Sequence, residues 1–116
     1  MKNIIHLYVT DYTYDPFGRY EEDGEGNGEV FRTKYLMPVL NRGDIAYVHL
    51  DGINDEYGSS FIVEAFANLI RKENMSYDDV KNRVKLVSRH QDWIDEIDDY
   101  IREARNDVAC GRLSAL

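Results

Sequence analysis

Ile45-Ala-Tyr-Val-His-Leu-Asp-Gly-Ile-Asn-Asp-Glu-Tyr-Gly-Ser-Ser-Phe-Ile-Val-Glu-Ala-Phe-Ala-Asn-Leu-Ile-Arg71 is the stretch on which the fold turns. It reads as a largely buried strand, Asp44 to Leu50, with Ile45, Val48 and Leu50 facing the core, and it stops at the turn signal Asp51-Gly52. A polar loop follows, and a helix then begins at Ser59-Ser60. In that helix Ile62, Ala65, Phe66, Leu69 and Ile70 recur at i, i+3, i+4, i+7 and i+8, which lines one stripe with apolar side chains. The junction at the helix start is the place where a site is expected.

Upstream, Ile4, Ile5, Leu7, Tyr8 and Val9 form an apolar run over about residues 3 to 9 without strict alternation, the pattern of a strand covered on both faces. Thr10 to Gly28 holds turn signals at Asp15-Pro16 and Phe17-Gly18 and a glycine at every second position from Gly24 to Gly28, so no regular structure is expected there. Loops of this length are either solvated and mobile or in contact with a ligand or partner, and this one carries Arg19 among acidic neighbours. Glu29 to Asn41 has Phe31, Tyr35, Leu36, Val39 and Leu40 on one side of a helix, with Pro38 distorting or tightening its last turn.

Downstream, Ser76-Tyr-Asp-Asp79 resembles a capping box opening a short helix to about Asn82, and Val84 to Ser88 reads as a third strand. The last helix, about Gln91 to Asn106, sets Ile94, Ile97, Ile101 and Ala104 along one stripe. Asp92, Asp95, Glu96, Asp98, Asp99 and Glu103 cover the rest, a solvated face or a docking face for a partner. One domain over residues 1–107 with a loosely held tail, 108–116, is expected. Strands alternating with helices predict a small α/β sandwich, with a mainly parallel sheet of three or four strands packed by helices.

Composition removes several functions. A net charge of −8 over 116 residues argues against nonspecific affinity for nucleic acid or anionic lipid, because binding phosphates needs a basic face. No apolar run approaches the roughly 20 residues that span a membrane, and the N-terminal run has no small-residue cleavage site, so a cytoplasmic protein is expected. A single cysteine, Cys110, makes no internal disulfide and reads as an exposed thiol. His6, His49 and His90 show no metal-ligand spacing and read as structural, so neither metal nor cofactor is expected. Gly24-x-Gly26-x-Gly28 lacks the spacing of a dinucleotide fingerprint, and no P-loop or nucleophile elbow is present, so no catalytic residue is assigned.

Three segments stand out together: Phe17-Gly-Arg-Tyr20 with Asp23-Gly24 and Gly28-Glu-Val-Phe-Arg32, then Leu50-Asp-Gly-Ile53, then Gly58-Ser-Ser-Phe61 leading into Glu64-Ala-Phe66. In combination they resemble the STAS-like domain family of unknown function, a divergent relative of the STAS fold of anti-anti-sigma factors and sulfate transporter tails. The similarity spans about residues 17 to 71 and weakens towards Ile101. In STAS regulators a serine in an Asp-Ser-Ser-Gly turn accepts phosphate from a partner kinase with a histidine-kinase-like ATP-binding fold. Here Gly58 stands in the place of the Asp and Phe61 in the place of the Gly.

The resemblance implies a non-enzymatic regulatory protein-interaction module, with Ser59 and Ser60 as candidate phosphoacceptors and a protein partner, a kinase of that fold among the candidates. A serine at a helix start also has a plain structural role, accepting a hydrogen bond from a free amide. Phe17, Gly18, Arg19, Tyr20, Asp51 and Gly58 are the candidate partner- or anion-binding residues, because a parallel sheet brings the loops after its strands to one edge. An Arg19 salt bridge within its own loop, to Glu21, Glu22 or Asp23, is the bland alternative. Two other functions compete: an acidic decoy, from a mobile element or defence locus, that blocks a basic nucleic-acid-binding surface, and a nucleotide- or anion-binding domain at the same junction.

Overall fold

Three parallel strands, β1 (Ile4–Tyr8), β2 (Ile45–His49) and β3 (Val84–Val87), form one sheet in the order β1-β2-β3. This is a computed structural model, and it describes residues 2–110. In register, Ile5 lies beside Ala46 and Ala46 beside Val84, and Leu7, Val48 and Leu86 form the next row. These rows face the core, where Ala46 and Val48 are fully buried.

The helices follow from the same patterns. A single turn, α1 (Val9–Tyr12), leaves β1. Helix α2 spans 28–41 and α3 spans 59–71; each is α-helical at its ends and π-helical in the middle, at Phe31–Leu36 and Val63–Ala67. In α2 the widened turns run up to Pro38, which has no N–H for the regular ladder, and the Met37 N–H bonds the Arg32 carbonyl instead. The last turn is therefore preceded by a loosening rather than itself tightened. Helix α4 (Tyr77–Arg83) is capped by Ser76, whose hydroxyl accepts the Asp79 N–H at 3.1 Å, and α5 (Gln91–Ala109) buries Ile97, Ile101 and Ala104 against α3.

Sequential strand order has a consequence for the layers. Right-handed crossovers that always step in one direction place their helices on one side of the sheet. The opposite face, with rows Ile4-Ile45, His6-Tyr47-Lys85 and Tyr8-His49-Val87, is bare: Ile4 is 53% exposed and Tyr8 46%. The apolar run of the first strand had implied cover on both faces, and Ile45 a core position. Both expectations fail because no helix among the described residues crosses to that side, so Ala46 takes the core place assigned to Ile45.

Two further expectations change. The segment 10–28 is not free of regular structure: it contains most of α1 and a 3-10 turn at Glu21–Asp23. It is also pinned, with Gly28 N–H on the Gly18 carbonyl at 3.1 Å, Glu29 N–H on the Arg19 carbonyl at 3.0 Å, and buried Asn27 capping α2 through Val30 N–H at 2.9 Å. The last helix continues to Ala109, so 108–109 are helical, while residues 111–116 of the expected tail lie outside those described.

Candidate functional site

The loops that leave the carboxyl ends of the strands meet at one edge. The segment 13–18 lies on the loop before α3: Asn54 N–H bonds the Tyr14 carbonyl at 2.9 Å, the Asn54 amide bonds the Asp15 carboxylate at 3.1 Å, and Gly58 N–H bonds the Pro16 carbonyl at 3.0 Å. Phe17 then rests on Gly58 so closely that a Cβ there would lie 2.8 Å from its ring. Phe17 is nevertheless 45% exposed, Tyr14 (56%) stands out along the same segment, and Tyr20 (36%) follows just beyond it. A parallel sheet thus brings the expected loop and the expected helix start together.

Gly58, extended at φ −69 and ψ 140, is the residue that caps α3, so Ser59 and Ser60 occupy the first two helical positions. Neither hydroxyl makes a hydrogen bond among the described residues, and the capping role considered for one of them does not exist. A cap needs the extended backbone that Gly58 already holds. Ser59 is exposed and Ser60 half-buried.

Arg19 lies further along. Its backbone N–H and that of Tyr20 bond the Asp23 carboxylate at 3.0 and 2.9 Å, which holds that carboxyl below its usual range. Its guanidinium forms no ion pair within the loop and no hydrogen bond to Ser59 or Ser60 among the described residues. Tyr20 sits under the Lys72 ammonium, 5.2 Å from the ring centre. An open groove of about 550 Å³ beside the loop is lined by Tyr12, Glu21 and Glu25 among others, and Arg19 does not line it.

Asp51 has a structural task. Its carboxylate accepts the Ser88 hydroxyl and the Arg89 N–H, the latter at 2.8 Å, and so fixes the turn from β3 into α5. Partial burial raises its pKa, but those two hydrogen bonds outweigh it and the net shift is downward. Asp51→Ala is expected to lower stability by about 1–2 kcal/mol in urea unfolding, and a change below experimental error would show the turn holds without it. Beside it the Tyr57 hydroxyl, pushed well up by burial, donates to the Leu50 carbonyl at 2.6 Å.

Two polar groups escaped the sequence reading. Arg32 and Glu64, 4% and 1% exposed, pair at 2.9 Å where the π-helical parts of α2 and α3 cross. Arg32 also reaches Glu73 at 3.0 Å, and Lys72 reaches Glu64 at 2.7 Å. The available signal was a charged residue inside the apolar run Phe61 to Ile70. On the last helix, Asp98 pairs with Lys81 at 2.6 Å, Asp99 with Arg102, and Asp95 accepts from Gln91 at 3.0 Å, so much of the acidic face is internally engaged.

A family model described as a STAS-like domain of unknown function matches residues 27–92, from the start of α2 through β3 into α5. The chain belongs to that STAS-like family. No curated protein and no solved structure matches it. The three-stranded parallel sheet packed by helices is consistent with a STAS-like fold. Within the matched span of the STAS-like domain lie Gly28 to Arg32, Leu50 to Ile53 and Gly58 to Phe66; the Phe17 to Asp23 segment lies outside it. No helix among the described residues is long and apolar enough to cross a membrane.

Proposed function

We propose that this STAS-like domain is a non-enzymatic, regulatory protein-interaction module that docks its partner at the loop carrying Tyr14, Phe17 and Tyr20 and at the start of α3. The observation that carries this reading is the exposed Phe17 ring seated on Gly58, immediately before the exposed hydroxyl of Ser59. Exposed aromatic rings held on a rigid support are strong anchors for a protein partner, because little side-chain freedom remains to be lost. Phosphorylation of Ser59 would place about two negative charges beside that anchor. The first-turn amides of α3 favour the phosphate, while exposed Asp55 and Glu56 oppose it, so the modification changes the charge of the docking surface without refolding it. The partner is a protein, with an ATP-binding kinase of the histidine-kinase-like fold as the candidate that both binds and modifies the surface.

Phe17→Ala is expected to weaken partner binding by about tenfold or more, with thermal stability nearly unchanged because the ring is half exposed. Gly58→Ala, which pushes the ring aside rather than removing it, is expected to act in the same direction, and titration calorimetry reads both. With kinase and ATP, wild type is expected to be labelled and the Ser59→Ala, Ser60→Ala double variant not. Equal labelling of the two places the modification elsewhere.

A further inference from the structure

The bare sheet face carries a pair of histidines with no role in the docking surface. His6 on β1 and His49 on β2 occupy neighbouring rows, and the parallel register sets them diagonally, with His6 Nδ1 2.8 Å from His49 Nε2. Tyr8 stacks on His49, with ring centres 4.3 Å apart and planes within 14°, and Tyr47 leans on His6 at 5.6 Å. Both imidazoles are therefore held by ring neighbours rather than left to rotate freely.

We propose that His6 and His49 form a two-imidazole chelate for a late first-row divalent cation, of which Cu²⁺ and Ni²⁺ fit best. The donor set selects the metal. Imidazole nitrogen suits divalent copper and nickel, and affinity along the first row rises to Cu²⁺. At 2.8 Å the two nitrogens share one hydrogen bond, so both stand within reach of a single ion. On binding, the ring that donates the shared proton passes it through solvent to its own other nitrogen, and both facing nitrogens turn towards the metal by ring rotations that the bare face leaves room for. Water fills the remaining positions, since no group of three or more His, Cys, Asp or Glu side chains among the described residues could hold a metal. Hard cations such as Ca²⁺ and Mg²⁺, which take oxygen ligands, are excluded by the donor set.

The experiment titrates NiCl₂ and CuCl₂ into the full chain carrying Cys110→Ser, which removes the exposed thiol as a competing ligand. One metal per chain is expected, with paramagnetic broadening of the His6 and His49 ring resonances and not of His90. His6→Ala and His49→Phe are each expected to weaken binding by about tenfold or more, the second keeping an aromatic ring against Tyr8. His90→Ala, whose ring lies against Trp93, is expected to bind as the parent does. Binding that survives both the His6 and the His49 variants, or no binding of either metal at neutral pH, overturns the assignment.

Discussion

Glu64→Leu is expected to cost about 3 kcal/mol, because it takes from the buried Arg32 guanidinium its only fully buried carboxylate and leaves Glu73 alone to balance the charge. Arg32 is 4% exposed, and its other charged partner, Glu73, is itself partly solvated at 25%. Removing one member of a buried pair leaves a desolvated charge, whereas removing both leaves only a packing problem. The Arg32→Met, Glu64→Leu double variant should therefore recover most or all of the loss in urea unfolding. A single-variant loss under about 1 kcal/mol would mean the pair behaves like a surface ion pair. Acid adds a second test. Burial pushes the Glu64 carboxyl up, but hydrogen bonds from Lys72 and Arg32 outweigh it and hold its pKa below the usual value. Its contribution is then complete above the unfolded value of about 4.3 and is lost as pH falls through the lower folded value. Wild type and Glu64→Leu should converge in stability on acidification.

Gly28→Ala is expected to cost about 2–3 kcal/mol, even though alanine favours a helix by about 1 kcal/mol. A Cβ at Gly28 would lie 2.5 Å from the Phe61 carbonyl oxygen and 3.0 Å from the Ala65 nitrogen. Both obstacles are backbone, so α2 and α3 must separate, and the Arg32–Glu64 contact one turn away separates with them. At Gly58 the obstacle is instead the exposed Phe17 ring, which can swing away. The two glycine substitutions should therefore divide: Gly28→Ala lowers the unfolding midpoint, and Gly58→Ala leaves it close to wild type while weakening docking. Similar midpoints for the two would contradict the close crossing of α2 and α3.

Much of the architecture was legible because it depends on local periodicity. The apolar stripe from Ile62 to Ile70, the serine cap at Ser76 and the alternation of strands with helices each act within a few residues. They led to a parallel sheet packed by helices, and the structure has one. The candidate site was legible only as a neighbourhood. The sequence placed the Arg19 loop and Ser59-Ser60 at one edge, but which group touches the helix start depended on packing: Phe17 does, while Arg19 makes no side-chain hydrogen bond there among the described residues. The capping residue was displaced by one position because glycine lacks the side chain by which a cap is normally recognised.

By itself, the sequence determined the three strands, the four longer helices, their order, the acidic composition and the family, since hydrophobic spacing, turn residues and short motifs are local quantities. Only the tertiary structure decided which side of the sheet stays bare, because that follows from crossovers that all step one way. It alone paired Arg32 with Glu64, through a helix crossing permitted by Gly28. It alone brought His6 within 2.8 Å of His49, which stands 43 residues away in the chain. Such pairings depend on strand register and helix packing, and no spacing along the chain encodes them.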